Sequence, residues 1–465
     1  MSRRNLNTLL PGARELVLVG FLCAGGSISA AASPPARSLP ELVRSALSTD
    51  ESMASAASQL RRAGADTRLA RSALLPRLEL NGTYTRFQSE QAFEFAPGQS
   101  FVVRPLADWN WSADLTQTLF YGLRDWRARE VAREQYAAAQ IERASAASDL
   151  ALRVSQAFFD AVAARERLQV RTAALKQVEA QLRVAQRRFQ VGELTSADVA
   201  RWSARLAAER QAVAEADGTD ELARRRLARL AGVDAIERLN PPPPVPTPAG
   251  KPEDLTLRAL ESRPEMTALD RRLKAAALMI RVEKGAWLPE LDAHLQYFRQ
   301  KADFPSNDWA SLALTLKVPI YDGGVTAARV AKAREDLMDA EILRRKVEKA
   351  IRDQVDASLI SYRTAALTLT AAKERSRAAA EAYRQVKRAY AVGEATATDL
   401  LTATTDATDA RTAAVIAHWQ RELQAIALRH AVGLQPVPGV SLPGWEDEDA
   451  HPESFEKSNE PRNVP

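Results

Sequence analysis

The chain carries two copies of one pattern, and the distance between them limits the folds open to it. Arg71-Ser72-Ala73-Leu74-Leu75-Pro76-Arg77-Leu78 returns as Lys284-Gly285-Ala286-Trp287-Leu288-Pro289-Glu290-Leu291. Farther on, Phe189-Gln190-Val191-Gly192-Glu193-Leu194-Thr195-Ser196-Ala197-Asp198 returns as Tyr390-Ala391-Val392-Gly393-Glu394-Ala395-Thr396-Ala397-Thr398-Asp399. A period of roughly 200 residues is too long for a solenoid repeat, so the copies mark a duplicated structural unit. Each copy reads as helix, strand, strand, very long helix, tight turn, helix.

No proline interrupts the stretch between Pro105 and Pro241 or that between Pro319 and Pro436, and strong helix formers fill both. A helix from Arg124 to Gln190, at the α-helical rise per residue, runs about 100 Å. Leu168, Leu175, Leu182 and Phe189 recur along it every seventh residue, with Val178 and Ala185 in the alternate positions. The second copy offers Leu369, Ala372, Ser376, Ala379, Tyr383, Val386 and Tyr390. That is the spacing of a coiled-coil seam. A composition 46% apolar but only 6% aromatic suits such closely packed helices better than a large globular core.

Four segments alternate with period two. Leu78, Leu80 and Tyr84 oppose Glu79, Asn81, Thr83 and Thr85. Trp109, Trp111, Ala113, Leu115 and Leu119 oppose Asp108, Asn110, Ser112, Asp114, Thr116 and Thr118. Leu291, Ala293, Leu295 and Tyr297 oppose Asp292, His294 and Gln296. Ala310, Leu312, Leu314, Leu316 and Val318 oppose Ser311, Thr315 and Lys317. Each segment has the roughly ten residues that a tilted strand needs to cross a bilayer core. Surface hairpins show the same alternation, but four two-faced strands in lipid leave open edges, which points to a barrel assembled from several chains. The segments from about Gln88 to Ala107 and from about Lys301 to Asp308 are then loops facing the cell exterior.

Arg3, Arg4 and Arg14 precede the apolar run Leu16 to Cys23 and the small residues Ala30-Ala31-Ala32, the layout of a secretory signal peptide over residues 1–32. Cys23, the one cysteine, follows Leu22 where a lipoprotein signal has a small residue, so the mature chain is expected to lack cysteine, disulfide and lipid anchor. No later segment approaches the ~20 uninterrupted apolar residues of a membrane helix, so any membrane crossing must use strands. The expected organisation is a first repeat over 33–238, an extended proline-rich linker over 239–252, a second repeat over 253–433 and an acidic, disordered tail over 434–465.

The two turns have a physical reading. Gly192 and Gly393 end their helices in the left-handed conformation, Thr195 and Thr396 cap the helices that follow, and Asp198 and Asp399 stand where a capping box places its acidic partner. Each turn reverses the chain between two antiparallel helices.

The signal peptide, the two strand pairs, the Leu-Pro pairs that precede strands, the exit Ile320-Tyr321-Asp322-Gly323-Gly324, Arg263-Pro264-Glu265 and the two Val-Gly-x-x-Thr-x-x-Asp turns together resemble the TolC-like outer membrane efflux protein family. The likeness runs from about Leu39 to Gly433. It departs at Leu119-Phe120-Tyr121-Gly122-Leu123-Arg124, where one glycine stands in place of two. The resemblance implies a mainly α fold with a transmembrane β-barrel: a homotrimer in outer membrane lipid, with a twelve-stranded barrel and long coiled-coil hairpins forming an α-barrel through the periplasm. It implies a periplasmic adaptor (membrane fusion protein) docked at the tips Val191, Gly192, Glu193 and Thr195 and Val392, Gly393, Glu394 and Thr396, coupled to an inner membrane pump. It also implies a gate. Asp399 resembles the aspartate that rings the constriction, and Tyr390 and Asp198 resemble a pair holding neighbouring hairpins together. Thr402 stands where the family has a second ring aspartate, and Ala395 where it has an arginine of the closing network.

Enzyme chemistry has no basis in the sequence. His294, His418, His430 and His451 lack metal-ligand spacing, and there is no Gly-rich phosphate loop or Ser-His-Asp arrangement. No metal or cofactor is expected. The net charge of +5 is the small difference of 64 basic and 59 acidic residues intermixed along the helices, with no stripe for nucleic acid. The resemblance implies a passive exit duct of a tripartite efflux or type I secretion system; the alternative is a secreted coiled-coil structural or adhesion protein.

Overall fold

The computed structural model describes residues 36–301, 307–440 and 442. The signal peptide with Cys23, residues 302–306 of the second outer loop, and the tail beyond Leu442 with His451 lie outside the described residues.

A two-residue strand, β1 (Arg37–Ser38), leads into α1 (Leu39–Thr49), with Pro40 in its first turn and Glu41 Oε2 accepting the Ser38 N–H at 3.3 Å. Asp50 ends that helix and caps α2 (Glu51–Ser72), its Oδ1 accepting the Ser52 N–H at 2.8 Å. Then come β2 (Arg77–Arg86), β3 (Gln91–Ala96), β4 (Gln99–Arg104), β5 (Ala107–Tyr121), α3 (Arg124–Gln190) and α4 (Ser196–Ala231). The second copy follows β6 (Leu239–Asn240), which pairs in parallel with β1. It comprises α5 (Pro252–Ser262), α6 (Pro264–Lys284), β7 (Glu290–Gln300), β8 (Asp308–Lys317), α7 (Val325–Val392) and α8 (Ala397–Ala431). α3 and α7 have 67 and 68 residues, α4 and α8 have 36 and 35, so the duplicated sequence is also a duplication of element lengths.

The four long strands form one antiparallel sheet in the order β2-β5-β7-β8. Its register matches the two-faced pattern up to Thr118 of β5. Leu78 faces Leu115, Leu115 faces Leu295 and Leu295 faces Leu312; on the other side Asn81 faces Ser112, Asp114 faces Gln296 and Asp292 faces Thr315. On the outer strands the apolar side stands open, with Leu80 75% and Leu312 69% exposed. Strands β2 and β8 each have one unpaired edge among the described residues.

Four local features differ from the expectations. The outer segment from Gln88 to Ala107 is not a plain loop: β3 and β4 pair as a hairpin through Pro97-Gly98, with Gly98 at φ 84°. A bulge between Thr118 and Phe120 breaks the alternation, so Phe120, not Leu119, faces Leu291. After β5 the missing second glycine is replaced by Leu123, which itself takes the left-handed conformation at φ 59° that Gly324 takes at 85° in the other copy. Finally, the start of the expected disordered tail is packed: Leu434, Val437, Val440 and Leu442 are buried, the last three in the main core.

That core lies along the middle of α3. Leu150, Val154, Phe158 and Phe159 pack with Leu39, Leu42 and Val43 of α1, Leu227 of α4 and Ile426 of α8. The proline-rich segment lies against it: Val245 is buried and its N–H donates to Glu422 Oε2 at 2.9 Å, so the segment is extended but held at a defined point. The seam of the second copy is as expected, since every named position from Leu369 to Tyr390 is buried or half-buried. In the first copy the roles are exchanged. Val178 and Ala185 are buried, whereas Leu168, Leu175 and Leu182 are half-buried and Phe189 is exposed, because the alternate positions are the ones that join the apolar cluster near the turn.

Candidate functional site

The two hairpin turns are built alike. Gly192 and Gly393 sit at φ 80° and 85°, and the residue after each returns a hydrogen bond to the helix: Glu193 N–H to Arg188 O and Glu394 N–H to Ala389 O, both 2.9 Å. Thr195 and Thr396 then open α4 and α8. The Asp399 N–H donates to Thr396 Oγ1 at 3.1 Å, and Asp399 Oδ2 accepts the Thr396 N–H at 2.9 Å and its hydroxyl at 2.7 Å. Asp198 makes the same set with Thr195 at 3.3, 3.2 and 2.8 Å. Aspartate thus closes a capping box with a side chain one methylene shorter than the usual glutamate. The threonine donors hold both carboxyls below the usual carboxylate range, with Arg201 adding to the effect at Asp198.

The turns are joined by a small apolar cluster of Val178, Ala185 and Trp202 from the first hairpin and Tyr390, Ala397 and Leu400 from the second. Arg188 binds across it. Its guanidinium lies 5.1 Å from the centre of the Tyr390 ring, donates to the Tyr390 and Ala391 carbonyls at 3.4 Å each, and stands 3.7 Å from Glu193. Arg201 links the hairpins on another side, its Nη1 reaching Asp198 Oδ1 at 3.4 Å and the Thr398 hydroxyl at 3.1 Å.

The structure brings Tyr390 and Asp198 into one neighbourhood but does not join them. Among the described residues the Tyr390 hydroxyl has no hydrogen-bond partner, while both Asp198 oxygens serve the cap and Arg201. No hydrogen bond joins the two within one chain among the described residues. Burial pushes the Tyr390 phenol up, the Arg188 charge opposes that, and the Asp198 charge adds to it. Asp399 is exposed and borders a groove of about 890 Å³ between α7 and α8, shared with Arg375, Thr402, Asp406 and Ala395. The tip residues Val191, Gly192, Glu193, Val392, Gly393 and Glu394 are exposed, as are Thr195 and Thr396. Sequence reasoning missed Trp202, Arg188 and Arg201. The one available signal was asymmetry between the copies, since Arg188 stands where the second copy has Ala389.

The model of the family described as outer membrane efflux protein matches residues 42–233 and 255–434. The chain belongs to the outer membrane efflux protein family. Outer membrane protein TolC of Vibrio cholerae is 26% identical over 447 residues, covering 90% of this chain and 95% of that protein. Outer membrane efflux protein BepC of Brucella suis is 26% identical over 290 residues, and the match spans 63% of its length. Among solved structures, the outer membrane protein VceC of Vibrio cholerae superposes with a TM-score of 0.72 at 18% identity, covering 86% of this chain and 97% of that one. The open-state MtrE outer membrane channel of Neisseria gonorrhoeae also gives 0.72, at 22% identity, covering 86% and 89%. The fold is thus that of the outer membrane efflux channels, with long α-barrel helices and a β-barrel sheet. Family membership places the protein in the outer membrane as a channel protein, not an enzyme, and overturns the alternative of a secreted adhesion fibre.

Proposed function

We propose that this chain is the outer membrane exit duct of a tripartite efflux or type I secretion system, acting as a homotrimer between a periplasmic adaptor and the cell exterior. The observation that carries this reading is the sheet. Four strands with one exposed apolar face and two unpaired edges are not a stable membrane structure alone, because lipid offers no partners for edge N–H and C=O groups. Three copies supply twelve strands and leave no edge. The apolar face then meets lipid and the polar face lines the duct.

The hairpins of the two repeats, 33–238 and 253–433, form the periplasmic tunnel, and their exposed turns at Val191–Thr195 and Val392–Thr396 receive the adaptor that couples the duct to an inner membrane pump. Asp399 is the lumen-facing carboxylate of the gate. Tyr390 and Asp198 act across the junction between hairpins, where the buried, unpartnered Tyr390 hydroxyl is available to a group on a neighbouring chain. Capping and gating are compatible roles for Asp399, because both its cap bonds use Oδ2.

Crosslinking of protein extracted from the outer membrane is expected to yield a trimer. A monomer that conducts ions by itself, or recovery in the soluble fraction only, contradicts the proposal.

A further inference from the structure

We infer that Asp114 and His294 form an ion-selectivity site inside the barrel, distinct from the gate at the hairpin turns and graded by pH; this rests on the channel reading above. Asp114 lies on the polar face of β5, and donors from three strands converge on its carboxylate. Asn81 Nδ2 on β2 donates at 3.0 Å, Ser112 Oγ on β5 at 2.6 Å and Gln296 Nε2 on β7 at 2.6 Å, while His294 Nε2 stands 3.4 Å from Oδ1. Such a donor set matches a carboxylate, which only accepts. It also fixes the charge at one height in the sheet instead of leaving it on a mobile side chain.

Of the other charges of this face, Asp108 lies at the start of β5 opposite Thr85, and Glu79 stands opposite Asp114 on β2. Arg77 pairs with Glu79 at 2.6 Å and Lys317 with Glu290 at 3.5 Å, so those two carboxylates are balanced. Asp292, two residues before His294 on β7, accepts the Thr118 hydroxyl at 2.8 Å. On β8 the residue opposite His294 is Ala313, flanked by Ser311 and Thr315, none of them charged. The imidazole therefore lies against the Asp114 carboxylate, with Asp292 on the same strand face, and among the described residues it is paired with no cation. With a neutral imidazole the group carries two negative charges per chain, and with a protonated one it carries one. Imidazole is the side chain whose ordinary titration falls between pH 5 and 8.

Apolar residues of a membrane barrel face lipid, so this polar face lines the lumen, and three chains set three such pairs around it. Changing three unit charges within about 10 Å of the axis changes local cation enrichment by about twofold at moderate salt. The site accordingly favours cations, and favours them more at neutral pH than in acid.

The test uses the purified full-length channel in planar bilayers, with reversal potentials in a KCl gradient at about pH 8 and pH 5, the range that spans imidazole titration. The parent is expected to lose about half its potassium preference on acidification. His294→Gln should keep its high-pH preference at both values. Asp114→Asn should start with a weaker preference and still lose some in acid; Asp399→Asn should retain the parent's pH response. A conducting parent with no pH dependence, or a His294→Gln channel that responds like the parent, overturns the site while leaving the duct intact. A parent that inserts but forms no conducting pore overturns the duct reading itself, and the site with it.

Discussion

Replacing Gly393 with Val isolates what the hairpin turn requires of its backbone. Gly393 stands at φ 85°, and a Cβ built there meets no atom within 4 Å. Crowding is therefore absent, and the cost is the conformational one of holding an L-residue in the left-handed region, about 1–2 kcal/mol. The turn lies at the end of two long helices, far in sequence from the main core, so the loss appears as local opening, not as global unfolding. The Glu394 N–H reports it directly, since it donates to Ala389 O at 2.9 Å only while the turn is closed. A cost of that size speeds exchange of this amide by about 5- to 30-fold. Hydrogen exchange read by mass spectrometry on peptides spanning the turn is the assay, with peptides from the middle of α3 as the internal control. Gly393→Asn should exchange much closer to the parent, because asparagine visits this region readily. Barrel insertion should be normal in both, with adaptor-dependent export impaired in the Val variant. Unchanged exchange in Gly393→Val, or equal damage from Asn, would refute the backbone argument.

Asp399→Asn should lower the cation preference of the assembled channel in planar bilayers, and an unchanged preference places the constriction elsewhere. Tyr390→Phe removes a hydroxyl with no hydrogen-bond partner among the described residues; it should leave exchange at the turns unchanged and raise resting conductance, and parental conductance would take Tyr390 out of the gate. The Asp198 and Asp399 carboxyls are held below the ordinary aspartate value of about 3.9. Their capping contribution is therefore complete above that value and is lost as the pH falls through the depressed folded values. Exchange at the turns, corrected for its intrinsic pH dependence, should thus show no loss of protection on going from about pH 7 to about pH 5, with loss only in stronger acid. Loss of protection already at the higher values would show that the caps are not what holds the turns.

Much of the fold is legible in the residues because each element is specified locally. Alternation of the Leu78–Leu80 kind fixes strand faces, since a shift of one residue exchanges them all. The ends of α3 at Arg124 and Gln190 are set by the turn before it and the glycine after it. What was hidden depends on tertiary placement. Leu123 looks like an ordinary helix-start residue, and only its alignment with Gly324 points to a left-handed backbone. The β3–β4 hairpin had a Pro97-Gly98 turn signal, but its strands are short and lack clean alternation. Leu434 to Leu442 read as tail because no period marks them, although they fill space left between helices. At the turns, the capping residues were readable from spacing, whereas Trp202 and Arg188 act between hairpins remote in sequence.

The most direct test of the central claim joins the two sheet edges covalently. In a chain with Cys23 replaced, cysteines are placed in pairs, one at Asn81 of β2 and one at Trp309, Ser311, Ala313, Thr315 or Lys317 of β8, so that all candidate registers on one face are sampled. If three copies close the barrel edge to edge, at least one pair yields disulfide-linked dimers and trimers of outer membrane protein on denaturing gels, and a conducting channel that reduction does not open further. Only intrachain disulfides, or none at any register while the protein inserts and conducts, would contradict a barrel built from three four-stranded sheets.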